Sequence, residues 1–239
     1  MSRRRRGLGR RAFGALLRLG GLALAAAILL VAGYRWIDPP TTLLIERERG
    51  RLGAVVREWR ALDALPPHLA RAVVAAEDAR FCDHWGLDVD AIRQALRDRI
   101  ERGRRRGAST ITQQVAKNVF LWPEPSWLRK ALEVPLAIGL ETLWGKRRIL
   151  EVYLNVAEWS EGAFGAEAAA RRWFSKPAAE LTLAEASRLA AILPNPRARS
   201  ASRPSAFVAD RARAAAAGAR ALAAEGRDRC FAEPREGGA

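Results

Sequence analysis

At 239 residues, the chain is long enough for one sizeable hydrophobic core and too short for two large domains. It carries 41 Lys and Arg against 26 Asp and Glu, a formal net charge of +15. That balance calls for an anionic partner: nucleic acid, an anionic membrane surface or a phosphorylated substrate. Two histidines and two cysteines without metal-ligand spacing argue against a zinc cluster and a dense disulfide framework. Cys82 and Cys230 could pair in an oxidising compartment, but they are far apart in sequence, and the simpler expectation is two unpaired or partly buried thiols.

Seven arginines fall within residues 1–18, and an uncharged run, Leu19 to Tyr34, follows. With Arg18 able to snorkel, Ala12 to Tyr34 reaches the ~20 residues a bilayer span needs. The pattern predicts a transmembrane anchor over 12–37 preceded by a basic tail over 1–18. The arginine flank keeps the N-terminus in the cytoplasm and sends the body outward. A cleaved signal peptide is the rival, because Val31-Ala32-Gly33 offers small residues near the end of the run, and Arg10-Arg11-Ala12-Phe13 faintly resembles a twin-arginine signal. Asp38-Pro39-Pro40 breaks the helix and opens a linker over 38–64, whose residues 43–63 read as charged and irregular.

A helix can start at Pro66-Pro67, since proline is tolerated in the first turn. Leu69, Val73 and Ala76 share a stripe, and Glu77 lies beside it. A carboxyl next to an apolar face is desolvated, which raises its pKa towards that of a general base; a helix-ending glutamate turned to solvent is the bland alternative. Phe81, His84, Gly86 and Asp88 follow closely. Arg93 to Arg106 is a dense basic run, either a solvated helix and loop or a surface facing phosphates or lipid headgroups. Nucleic acid is the weaker partner for a body outside the cytoplasm, and no nucleic-acid-binding signature is present.

Thr110 and Gln113 have capping-box spacing, and on the helix they open, Gln114, Lys117 and Asn118 lie three and four residues apart. That row of amide and ammonium groups suits a diphosphate or a sugar, and equally a solvent-facing helix. After the turn between Trp122 and Trp127, helical pattern resumes over Leu128 to Leu143 around Pro135, where Arg129 and Lys130 can both reach Glu133. Further helices are predicted over Lys146 to Asn155, Gly162 to Phe174, Thr182 to Leu193 with a second capping box, and Phe207 to Glu225. Glu233 to Ala239 is expected to fray.

Five segments in order, EDARFCDHWG from Glu77, GASTITQQVAKN from Gly107, RKALE from Arg129, KRRILEVYLN from Lys146 and GAFGAEAAARRWF from Gly162, resemble the peptidoglycan glycosyltransferase family. The resemblance covers roughly Leu65 to Pro196. It implies a mainly α, lysozyme-like domain over 65–200, with residues 201–239 as a C-terminal helix and tail. It also implies the reaction, polymerisation of lipid II, a disaccharide-pentapeptide on undecaprenyl diphosphate. Glu77 would be the base for the acceptor 4-hydroxyl and Glu133 the second carboxylate, assisting on the diphosphate side or through a cation. Asp78, Ser109, Gln114, Lys117, Asn118, Arg129 and Lys130 would bind substrate, while Phe81, His84 and Gly86 shape the site.

About forty residues follow Pro196 without a serine-lysine transpeptidase motif, so glycan synthesis without crosslinking is expected. No required cofactor is visible, although a divalent cation at the diphosphate is chemically compatible. The implied partners are lipid II, the growing glycan strand and the bacterial inner membrane, with room for other wall-synthesis or division proteins. A lytic enzyme of the same fold and a non-enzymatic wall scaffold are the alternatives. The first has less need of phosphate-facing cations, and the second has no need of Glu77 or Glu133.

Overall fold

The computed structural model describes residues 2–103 and 107–232, excepting the side chains of 2–13 and of Ala23. The end of the basic run at 104–106 and the terminal stretch 233–239 lie outside the described residues. Two compact units divide at Asp38. The first holds α1 (Ser2–Gly33), whose segment Gly14–Gly33 is a 20-residue helix with mean hydropathy 2.3. Its leucines Leu16, Leu22 and Leu29 are exposed, as suits a helix whose partner is lipid.

The second unit, residues 39–239, is mainly α. It begins with a correction: residues 43–63 are not irregular throughout, since 43–52 form a helix and 56–57 a strand. Thr42 accepts a hydrogen bond from the Ile45 N–H and caps α2 (Leu43–Leu52). Charge hides this helix in the sequence, because the face it buries consists of Ile45 and Glu48. Glu48 is satisfied by Arg51 at 2.6 Å and by Arg197 at 2.9 Å. The strand β1 (Val56–Arg57) follows and pairs in parallel with β3 (Ala163–Phe164), which is antiparallel to β2 (Glu158–Ser160). The stretch expected to be helical from Gly162 therefore starts as a strand, and α8 runs only over Ala166–Phe174.

The other expected helices form close to their predicted limits: α3 (Pro67–Glu77), α5 (Ile111–Phe120), α6 (Trp127–Leu143), α7 (Gly145–Val156), α9 (Leu183–Ile192) and α10 (Ala206–Ala224), while α4 (Val89–Arg102) makes the described part of the basic run a helix that starts before it. Both capping boxes are complete, Thr110 with Gln113 and Thr182 with Glu185. Apolar faces at helical spacing bury Leu69 and Val73 of α3, Ile111 and Val115 of α5, Leu140 of α6, Ile149 and Tyr153 of α7 and Leu189 of α9 in one core. Asn155 ends the KRRILEVYLN segment as a brace: its amide donates to the Arg60 and Glu151 carbonyls and accepts from the Arg60 N–H.

The C-terminal segment is part of this body rather than an appendage. Helix α10 packs against α3 and α9. Gly218 makes the approach to α3 close, since a Cβ there would stand 2.7 Å from the Ala75 methyl. Beyond α10, Arg71 pairs with buried Asp228 at 2.6 Å, Phe81 and Phe231 stack at 6.2 Å, and Cys82 is disulfide-bonded to Cys230. The expectation of unpaired thiols is thus wrong. Their separation of 148 residues hid a pairing that exists because α10 returns the tail to α3.

Candidate active site

Helix α3 delivers Glu77 to the head of a cleft of about 520 Å³ lined by residues 75–80, Asp88, Gly107 to Thr110, Gln114, Pro194 and Arg211, among others. Buried hydrophobes on one face of α3 fix its rotation, and this places Glu77 beside the core. Burial pushes the Glu77 carboxyl above the ordinary carboxylate range. The Gln114 amide donates to Glu77 Oε2 at 2.9 Å and opposes that rise by favouring the charged form. Gln114 in turn accepts from the Tyr153 hydroxyl at 3.3 Å, which sets which end of its amide faces Glu77. Burial, followed by the nearby carboxylates, pushes Tyr153 well up, so it stays a neutral donor.

Asp78 is placed differently. Its Oδ1 accepts from His84 Nε2 at 2.8 Å and its Oδ2 from the Ile111 N–H at 2.9 Å. One carboxylate thereby ties the end of α3 to the first turn of α5, where negative charge also suits the helix dipole. Gly86 lets the intervening loop close down: it has φ +79°, a Cβ there would meet the Ala137 carbonyl at 3.1 Å, and its own carbonyl accepts from Thr110 at 2.6 Å. His84 and Phe81 are thus scaffold.

A cationic group lies on the α5 and α6 side. Ser126 caps α6, and both Glu133 oxygens are taken, by Arg129 at 2.6 Å and Lys130 at 2.7 Å. Lys130 also donates to Ser109 Oγ at 2.8 Å, joining this cluster to the wall of the Glu77 cleft. Burial, and then the Arg129 charge, pushes Lys117 below the ordinary lysine range, with Glu133 and Glu77 pulling the other way. Lys117 therefore lies within electrostatic reach of both carboxylates. Asn118, one residue further, is buried, whereas Gln114 and Lys117 are half-buried.

The Asp78, His84 and Asp88 ligand atoms lie within 4.8 Å of one another. Both Asp78 oxygens are spent as described, and Asp88 caps α4 through the Ala91 N–H at 2.9 Å. Asp78 and Asp88 thus hold loops in place, and the Glu133 oxygens are engaged in the same way by Arg129 and Lys130.

Two residues of the site escaped the sequence reading. Tyr153 reads there as part of an apolar face, and Arg211 belongs to an Ala/Arg helix without a motif. Neither carries a local signal, because each is brought to the cleft only by tertiary packing.

This architecture, a mainly α body with a desolvated glutamate at a cleft joined to a cluster of cations, is that of a glycosyl-transferring enzyme of lysozyme-like fold. The sequence pattern described as Transglycosylase matches residues 46–219, and the chain belongs to that family. It is 51% identical over 214 residues to a protein named biosynthetic peptidoglycan transglycosylase from Jannaschia sp., covering 89% of this chain and 88% of the relative. It is 55% identical over 197 residues to the one from Rhodospirillum centenum, covering 81% and 84%. The Pseudomonas aeruginosa protein of the same name is 51% identical over 195 residues, covering 79% and 84%. The matched region includes most of α2 and most of α10, in keeping with their packing into the body.

Proposed function

We propose that this peptidoglycan transglycosylase polymerises lipid II into linear glycan strands by an inverting displacement, releasing undecaprenyl diphosphate and forming no peptide crosslinks. The observation that carries this reading is the half-buried Glu77 at the head of a cleft whose wall, through Ser109, is continuous with Lys130 and its cationic neighbours. In this reading, Glu77 removes the proton from the acceptor sugar 4-hydroxyl as the oxygen attacks the anomeric carbon of the donor. The electron pair of the breaking bond passes to the diphosphate, whose developing charge is met by Lys117, Arg129 and Lys130. General-base help is worth ~10²–10⁴-fold, and preorganised charge at the leaving group is of comparable value.

Glu133 enters as an organising carboxylate, setting the spacing of Arg129 and Lys130. Ser109, Gln114 and Asn118 complete the substrate contacts, and Asp78 supports them from behind. Since diphosphate leaves readily, cations take the place of the acid a glycosidase requires.

The N-terminal apolar helix serves as a retained anchor over 12–37 in the bacterial inner membrane, with the tail cytoplasmic and the body periplasmic. The catalytic body is the unit over 39–239, into which α2, β1 and α10 are packed. The exposed Val89, Ile92, Leu96 and Ile100 of α4 suit a domain lying against the bilayer where a lipid-linked substrate is found.

The test is incubation of the detergent-solubilised full chain with labelled lipid II. Polymer and free undecaprenyl diphosphate are expected. Cleavage of preformed glycan without polymer formation would favour the lytic alternative, and neither activity would favour the scaffold.

A further inference from the structure

Arg211 is the one arginine on the Glu77 side of the cleft that no carboxylate neutralises among the described residues. The other cleft-lining arginine, Arg80, is paired with Asp90 at 3.0 Å and lies 3.6 Å from Asp88. Arg211 Nε is buried with no hydrogen-bond partner. Its guanidinium lies over the Phe207 ring at 5.9 Å, and Arg199, from the segment after α9, lies over the same ring at 5.2 Å. Arg199 donates to the Ala191 carbonyl at 3.1 Å and, among the described residues, forms no salt bridge with a carboxylate either. The packing of α10 on α3 brings Arg211 to the wall of the cleft that holds Glu77, and Arg199 lies beside it over the Phe207 ring.

Arg211 and Arg199 are both half-buried, and withdrawing guanidinium groups from water without a counterion is costly unless a charge they serve is nearby. We infer that Arg211, seconded by Arg199, is a positioning residue for the reaction: from the wall of the cleft it shares with Glu77, its positive charge favours the ionised carboxylate that the base requires. The inference rests on Glu77 being the base.

Every element around Glu77 contributes to the balance. Asp78 beside it disfavours the charged form. Gln114 and Lys117 from α5, Arg211 from α10 and Arg199 favour it, and buried Tyr153 of α7 stays neutral. Without the α10 cation, desolvation and Asp78 face less opposition, and the base is lost at a higher pH than in the wild type.

The test is the pH dependence of lipid II polymerisation by the solubilised full chain, comparing wild type, Arg211→Gln, Arg211→Lys, Arg199→Gln and Glu77→Gln. Removing a nearby opposite charge raises a carboxyl pKa. The acid limb of Arg211→Gln should therefore move up by roughly half a unit to one unit, a three- to tenfold loss on that limb that vanishes at higher pH. Arg211→Lys should restore the wild-type limb, and Arg199→Gln should shift it in the same direction by less.

Thermal unfolding measured at each pH separates a shifted limb from a failing fold, and if Arg211→Gln does not fold, the Arg199→Gln limb decides. An unmoved limb, a loss of activity equal at every pH, or a raised KM with an unmoved limb would overturn the inference. An unmoved limb with an inactive Glu77→Gln overturns only the role of Arg211. A fully active Glu77→Gln overturns the base assignment beneath it.

Discussion

Gln114 and Glu77 are joined by a single hydrogen bond of 2.9 Å that spans two helices and 37 residues of sequence. It fixes the rotamer of a carboxylate whose charged form burial disfavours, and Tyr153 holds the amide in the required orientation. Gln114→Ala should lower polymerisation about tenfold or more and move the acid limb of the pH–rate profile upward. Tyr153→Phe, which leaves Gln114 without its donor, should give a smaller shift in the same direction. Steady-state rates across pH check both.

The raised pKa of Glu77 also predicts a stability effect of definite sign. Between the ordinary glutamate pKa and the higher folded value, the folded chain binds more protons than the unfolded one. Stability therefore falls as pH rises through that window, by about 1.4 kcal/mol per unit of displacement. Glu77→Gln removes this cost and keeps an acceptor for Gln114. The variant should unfold at a higher temperature than wild type near neutral pH, and the difference should disappear below the ordinary glutamate pKa. Thermal melts over that range test it.

Lys117 has the opposite titration. Its lowered pKa means that the charge facing the diphosphate is lost at lower pH than for an ordinary lysine. Lys117→Ala should reduce turnover by ~10²-fold, by analogy with removal of one preorganised charge-stabilising donor. Lys117→Arg should extend the alkaline limb upward while retaining activity, because arginine keeps its charge. Wild-type turnover in Lys117→Ala would remove this residue from the leaving-group side.

The disulfide closes a span of 148 residues and joins the loop behind Glu77 to the segment after α10. Disulfides of this kind contribute about 2–4 kcal/mol. Cys230→Ser should lower the unfolding temperature, and polymerisation should fall because α10 carries Arg211. The same loss should follow reduction of the wild type and be absent when reductant is added to the variant.

The core helices and half of the site are legible in the sequence for a physical reason: the relevant signals are local. Thr110 with Gln113 and Thr182 with Glu185 mark helix starts within four residues, and Glu77 beside the Leu69 and Val73 stripe announces a desolvated carboxyl. Arg129, Lys130 and Glu133 meet as their helical spacing requires. What escaped depends on distant partners. Helix α2 buries a glutamate that only Arg51 and Arg197 make tolerable, and β3 is two residues long and exists through β1 and β2. Cys82, Tyr153 and Arg211 acquire their roles from chain segments tens of residues away or more. Asp78 shows the converse, a motif residue whose oxygens turn towards the scaffold.

The most direct test is the rate of lipid II polymerisation by full-length Glu77→Gln, with its fold verified by the thermal melt described above. Glutamine preserves the shape and the contact with Gln114 but cannot accept the proton of the attacking hydroxyl. The rate is predicted to fall by at least ~10²-fold at every pH, in line with loss of a general base. Polymerisation within a few-fold of wild type would contradict the assignment of Glu77 and, with it, the account of how this cleft works.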